Sequence, residues 1–160
     1  MNRKLTVALL LSSLSALLSV GAAHAQTTDI AVIVHPSNAV ANISSADLRK
    51  IFAGQKHSWP GGIPIKVIVR GPGCHERLVL LKLLGISESE YKQYWSAQVF
   101  RGEADAEPVA VPSFGMTKEA VLALPGSISL VESQSVKPGM NMKIVKVDGR
   151  LPGEPGYPLH

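Results

Sequence analysis

The chain has 160 residues, of which 16 are Lys or Arg and 12 are Asp or Glu, giving a formal net charge of +4; it holds a single cysteine. So small a basic excess, spread along the chain, excludes the dense footprint of a nucleic-acid binder. One cysteine excludes an intramolecular disulfide and the thiolate-rich zinc clusters, and the length suits one domain that buries its own core without staples.

Residues 1–25 have the layout of a secretory signal peptide. Arg3 and Lys4 precede an apolar run from Leu5 to Val20, and Ala23-His24-Ala25 puts small residues at both cleavage positions. The run is short for a membrane span and no second apolar stretch follows it. The expectation is an exported protein, periplasmic or secreted, with no membrane span after processing and no cysteine at the cleavage site to carry a lipid. Two of the basic residues and none of the acidic ones lie in the leader, so residues 26–160 are closer to neutral than the whole chain.

Asp29 to Val34 is short, β-branched and almost continuously apolar, the pattern of a buried strand. His35-Pro36-Ser37-Asn38 ends it. Ser44 reads as an N-cap, with Asp47 three residues on and Leu48, Ile51 and Phe52 at helical spacing; Gly54 stops that helix. Residues 55–62 form a loop containing Trp59, which either covers the core edge or stands out as a contact. Ile63 to Val69 is a second β-branched strand, and a helix runs from about Cys74 to Leu84 with apolar residues on several sides. Ser87 to Glu90 repeats the capping pattern before Tyr91, Tyr94, Trp95 and Gln98, whose spacing is that of a core-facing helix. A polar connector, a short strand at Pro108–Val111, a helix capped by Thr117, and strands at Ser127–Val131 and Lys143–Val147 complete the pattern. The tail from Leu151 to His160 is rich in Pro and Gly and reads as irregular. Strands alternating with helices make the class α/β, with helices packed on the faces of one sheet, and place a single domain over 26–150.

The turn between Val67 and Gly85 carries the most chemistry. A strand passing through glycines into a helix leaves the first helical N–H groups unpaired at the positive end of the helix dipole, which makes an anion site. Arg70 would add a guanidinium fork, Gly71 and Gly73 let the backbone approach a ligand, Cys74 and His75 supply amide donors, and Arg77 lies one turn into the helix. There is no Gly-Lys-Ser/Thr ending, so the turn is not a nucleotide P-loop. From spacing alone the reading to prefer is a geometric corner with a solvated arginine, because short motif matches carry a large false-positive rate. A thiol nucleophile at Cys74 lacks an identifiable base, since His75 beside it projects about 100° away on a helix. Cys74, His75, His57 and His35 show no metal-ligand spacing, and Glu103, Asp105 and Glu107 read as a solvated connector.

Taken together, VIVHPSNAVANISSADLRKIFAGQKHSWPGGIPI, then VIVRGPGCHERLVLL, then LPGSISLVESQSV and IVKVDG resemble the substrate-binding proteins of phosphate ABC transporters, of the type II periplasmic-binding-protein fold. The matching features are a helix ending Ile-Phe-x-Gly, a Trp before Gly-x-Pro-Ile, an Arg-x-x-Gly-Ser-Gly-Thr turn, and a Val-Lys-x-Asp-Gly near the end. The resemblance implies a single lobe with a central mixed sheet flanked by helices, where full-size members have two lobes that clamp the ligand. It implies a non-enzymatic protein without cofactor or metal, binding phosphate or another small oxyanion through Arg70, Gly71, Gly73, Cys74, His75 and Arg77. The sequence departs inside the turn: Cys74 replaces Ser, His75 replaces Gly and Glu76 replaces Thr. Those departures motivate the alternative of a ligand-free interaction module in the cell envelope, with Trp59 or the HPSN loop as contacts. They also allow self-association, in which Cys74 would bridge two copies.

Overall fold

The computed structural model describes residues 28–160, and the expected leader lies outside them. Eleven glycines have positive φ, but the conformation is decisive at few of them. Gly126 (φ +84°) is one, because a Cβ there would stand 2.2 Å from the Pro64 carbonyl oxygen.

Ile30–Val34 forms β1, and all five residues are buried. Asn42–Ile43 forms a two-residue β2 that no local pattern announced. Ser45–Phe52 is α1, capped by Ser44, whose Oγ accepts from the Asp47 amide at 3.0 Å. Lys66–Arg70 is β3, starting later than the expected Ile63. Pro64, with no N–H, cannot donate to a ladder, and Ser58 and Pro64 make only an isolated bridge. His75–Leu84 is α2, with Cys74 as N-cap and Gly85 closing it in the left-handed conformation. Glu88–Phe100 is α3, opened by a full capping box between Ser87 and Glu90.

Val109–Val111 is β4 and Phe114–Ala123 is α4. The cap of α4 is Ser113, not Thr117: the Ser113 Oγ accepts from the Met116 amide, and Thr117 lies one turn on, buried, donating to the Ser113 carbonyl at 3.0 Å. Ser127–Glu132 is β5 and Lys143–Val147 is β6.

The six strands form one mixed sheet in the order β2-β6-β1-β5-β3-β4. β1 is antiparallel to both neighbours, β5 and β6. β3 runs parallel to β4 and β5, and β2 runs parallel to β6. The α/β single-lobe architecture read from the sequence is therefore present. One face of the sheet packs with α1, α2 and α3 around Val32, Val34, Phe52, Leu80 and Trp95. The other packs with α4 through Ile33, Ile68, Val121 and Val131. Alternate residues of β1 point into the two cores, which is why the strand is apolar throughout.

The segment 151–160 contains no helix or strand, yet it belongs to the core. Tyr157 and Leu159 are each 3% exposed. The Tyr157 hydroxyl donates to the Ile30 carbonyl at 2.7 Å, and the Ile30 amide donates to the Leu159 carbonyl at 2.9 Å. Among the described residues, no helix is long and apolar enough to cross a membrane.

Candidate functional site: an arginine at the carboxyl ends of the parallel strands

Because β3, β4 and β5 run the same way, their carboxyl ends lie at one end of the sheet. Ligands of open α/β sheets bind outside such ends. Arg70 is the last residue of β3 and pairs with Val111 of β4. The turn then leads into α2, while α4 starts just beyond β4 at the same end. β1 runs the opposite way, so its carboxyl end, carrying the HPSN loop, is at the far end of the sheet. His35 and Arg70 therefore stand at opposite ends. The Asn38 side chain is buried in that far loop, where its Oδ1 accepts from the Val40 amide.

The Arg70 side chain is 13% exposed, and its Nε lies 3.4 Å from Oε1 of Glu76, which is 7% exposed. The contact is an ion pair without hydrogen-bond geometry. Nε and Nη1 of Arg70 are enclosed and have no hydrogen-bond partner among the described residues. Leaving such donors unmade costs about 1–3 kcal/mol each, so these two groups are primed for an acceptor. Glu76 is in the first turn of α2, where the helix dipole favours a negative charge.

The rest of the turn divides by role. Gly71 keeps an ordinary backbone conformation and its amide donates to the Val111 carbonyl at 3.2 Å, so that N–H holds β4 rather than facing a ligand. Gly73 has φ +87° with nothing within 4 Å of a Cβ position; it supplies the backbone reversal before α2 and leaves open space beside it. Cys74 is a free, partly buried thiol donating to the Gly71 carbonyl at 3.1 Å. Burial pushes its pKa up, and Glu76 adds to that, against the opposing pull of the Arg77 amide and Arg70. A thiol held protonated is a poor nucleophile. His75 Nδ1 faces Glu132 Oε1 at 3.8 Å, each about one-third exposed. Glu132, at the carboxyl end of β5, was not singled out from the sequence because only strand order brings it beside α2.

Arg77 goes elsewhere. Its Nε and Nη2 donate to the two carboxylate oxygens of Glu88 at 2.9 and 2.8 Å, and its guanidinium stacks 3.8 Å from the centroid of the Tyr91 ring. It lines a small cavity of about 80 Å³ with Glu88, Tyr91 and Glu107. A cavity of about 500 Å³ lies between α3, the 102–108 connector and the start of β3, and none of the six turn residues lines it. Trp59 is core rather than contact: it is 4% exposed and its indole N–H donates to the Gly126 carbonyl at 2.8 Å. The Val-Lys-x-Asp-Gly segment is structural too. Asp148 Oδ1 accepts from the Ser45 amide at 2.9 Å, its other oxygen takes the Ser45 hydroxyl, and the carboxylate thus caps α1. Among the described residues no three His, Cys, Asp or Glu groups converge as metal ligands.

The sequence profile of the PBP superfamily domain matches residues 22–153. The chain belongs to the PBP superfamily. The fold of this PBP superfamily domain is similar to three solved structures. One is a candidate phosphate ABC transporter substrate-binding protein from Clostridium perfringens, with bound phosphate (22% identity, TM-score 0.60, covering 76% of this chain and 45% of that one). Another is an ABC-type phosphate transport receptor from Vibrio cholerae (20% identity, TM-score 0.61, 78% of this chain and 48% of that one). The third is PstS from Borrelia burgdorferi (19% identity, TM-score 0.58, 78% and 49%). The chain thus spans about half the length of the proteins it resembles. No curated protein matches the sequence.

Proposed function

We propose that this PBP superfamily domain is a non-enzymatic, periplasmic solute-binding lobe of the phosphate-transporter type, which takes phosphate or another small oxyanion at Arg70. The observation that carries the reading is the enclosed Arg70 guanidinium, whose Nε and Nη1 have no hydrogen-bond partner among the described residues, set at the carboxyl ends of β3, β4 and β5. The open backbone at Gly73 and the first-turn amides of α2 around Cys74 and His75 complete the donor set, as helix N-termini do for oxyanions. Arg77 is left out, because Glu88 already takes its donors. Export by a leader over residues 1–25 and work beside an envelope transporter follow from the same reading.

One lobe encloses one side of a ligand, so affinity on the order of millimolar is expected, well short of what full enclosure achieves. Calorimetric titration of the purified chain with phosphate and sulfate tests the reading, with Arg70→Ala as the control. Saturable binding that Arg70→Ala abolishes supports it. Silence in both proteins would overturn it. The remaining reading would then be an envelope interaction module, supported by Phe100, 93% exposed at the end of α3, and Val109, 60% exposed on the edge strand β4.

A further inference from the structure

The carboxylate of Glu76 stands where an external anion would have to stand. As the second residue of α2 it lies in the field of the helix N-terminus, and its Oε1 is 3.4 Å from Arg70 Nε with both side chains largely enclosed. The two attractions that an incoming oxyanion would use are already answered by one charge of the chain itself. The answer is incomplete in one respect: Arg70 is compensated in charge, yet its Nε and Nη1 make no hydrogen bond among the described residues. Around the pair, Glu132 adds a further carboxylate, facing His75 at 3.8 Å.

Resting on the oxyanion reading above, we propose that Glu76 is the resident anion of the Arg70 site and sets its selectivity: divalent tetrahedral oxyanions enter, and monoanions are refused. The physical basis is competition. A tethered carboxylate has an effective concentration at Arg70 on the order of millimolar or higher. A monoanion such as acetate offers the same single charge and the same two oxygens, and it loses its translational freedom on binding, so exchange gains nothing. A divalent tetrahedral ion brings a second charge and additional oxygens. One of them can accept from Nε or from Nη1, whose N–H groups point to different sides of the guanidinium, and the others can meet the unpaired first-turn amides of α2.

The test is calorimetric titration with sulfate, inorganic phosphate, acetate and nitrate at mildly alkaline pH, where phosphate is divalent. It compares the wild-type chain, Glu76→Gln, and Glu76→Gln combined with Arg70→Ala. The wild type is expected to respond only to the divalent ions. Glu76→Gln should bind them about tenfold tighter, the equivalent of one modest competing interaction removed, and should also accept acetate and nitrate; the double variant should bind none of the four. Wild-type binding of acetate or nitrate comparable to that of sulfate would overturn the inference. So would a Glu76→Gln protein with unchanged affinity and unchanged refusal of monoanions, while the oxyanion reading stood. No binding of any ion by either the wild type or Glu76→Gln would overturn both. Should Glu76→Gln fail to fold, as its melting curve would show, Glu76→Asp draws the charge back from Arg70 and should shift affinity and selectivity in the same direction by a smaller factor.

Discussion

Two arginines seven residues apart, on one turn and its helix, end in opposite situations. Arg77 has found a bidentate carboxylate in Glu88 and an aromatic face in Tyr91, whereas Arg70 has a counter-charge but, among the described residues, no hydrogen-bonded acceptor for Nε and Nη1. The first is finished structure and the second is unfinished chemistry, which is why the candidate site takes Arg70 and leaves Arg77 out. The finished pair has a consequence for pH. The hydrogen bonds from Arg77 hold the Glu88 carboxyl below its ordinary value of 4.5. A carboxyl whose folded pKa lies below its unfolded one adds stability that is complete above the ordinary carboxylate range and fades as pH falls through the folded value. Urea unfolding measured across the acid range is expected to show a loss of stability beginning near pH 4.5 that is smaller in Glu88→Gln. Identical pH slopes in the two proteins would refute a stabilising role for the pair.

Among the elements, the strongest local signals are the caps. Ser44, Ser87 and Ser113 each accept from the backbone amide three residues on, and the first two were legible because an acidic residue follows at that spacing. Ser113 was not, because Phe114-Gly115-Met116 carries no such residue, while Thr117 looked like a start and proved to be the first buried position of the helix. α1 has a second cap from across the chain. Asp148, itself in a left-handed conformation at φ 49°, binds the Ser45 amide and hydroxyl and has its pKa lowered by those hydrogen bonds. Asp148→Ala is expected to cost about 1 kcal/mol, the usual worth of an N-cap. Denaturant titration would read this as a lower midpoint with an unchanged slope, and an unchanged midpoint would count against the cap.

The whole molecule is organised by β1, whose five residues are buried between two cores and whose direction opposes that of its neighbours. Ile33 is 0% exposed and packs on the α4 side. Ile33→Ala removes buried methyl groups that the sheet cannot close over, so a loss of about 2–5 kcal/mol is expected. Against a total of about 5–15 kcal/mol for a domain of this kind, that is enough to populate unfolded chains under mild denaturant. A loss below about 1 kcal/mol would mean that the second core is not well packed. The tail contributes at this scale as well, since Tyr157 and Leu159 close the first core over the start of β1.

What the sequence by itself determined was local. The β-branched run at 30–34, the capped helices at 45–52 and 88–100, and the strand, turn and helix spanning Arg70 are written in side-chain periodicity and cap chemistry, which act within a few residues. The α/β class and the resemblance to one lobe of a phosphate-binding protein followed from their order. What only the tertiary structure decided was partnership across the chain. It sent Arg77 to Glu88 and Trp59 to Gly126, paired β2 with β6, drew Tyr157 onto β1, and put the HPSN loop at the end of the sheet opposite Arg70. It also set Glu76 against Arg70, so that the turn carries its own anion. Such contacts depend on strand order and register, and these are fixed by the joint packing of distant segments, which no short window of sequence contains.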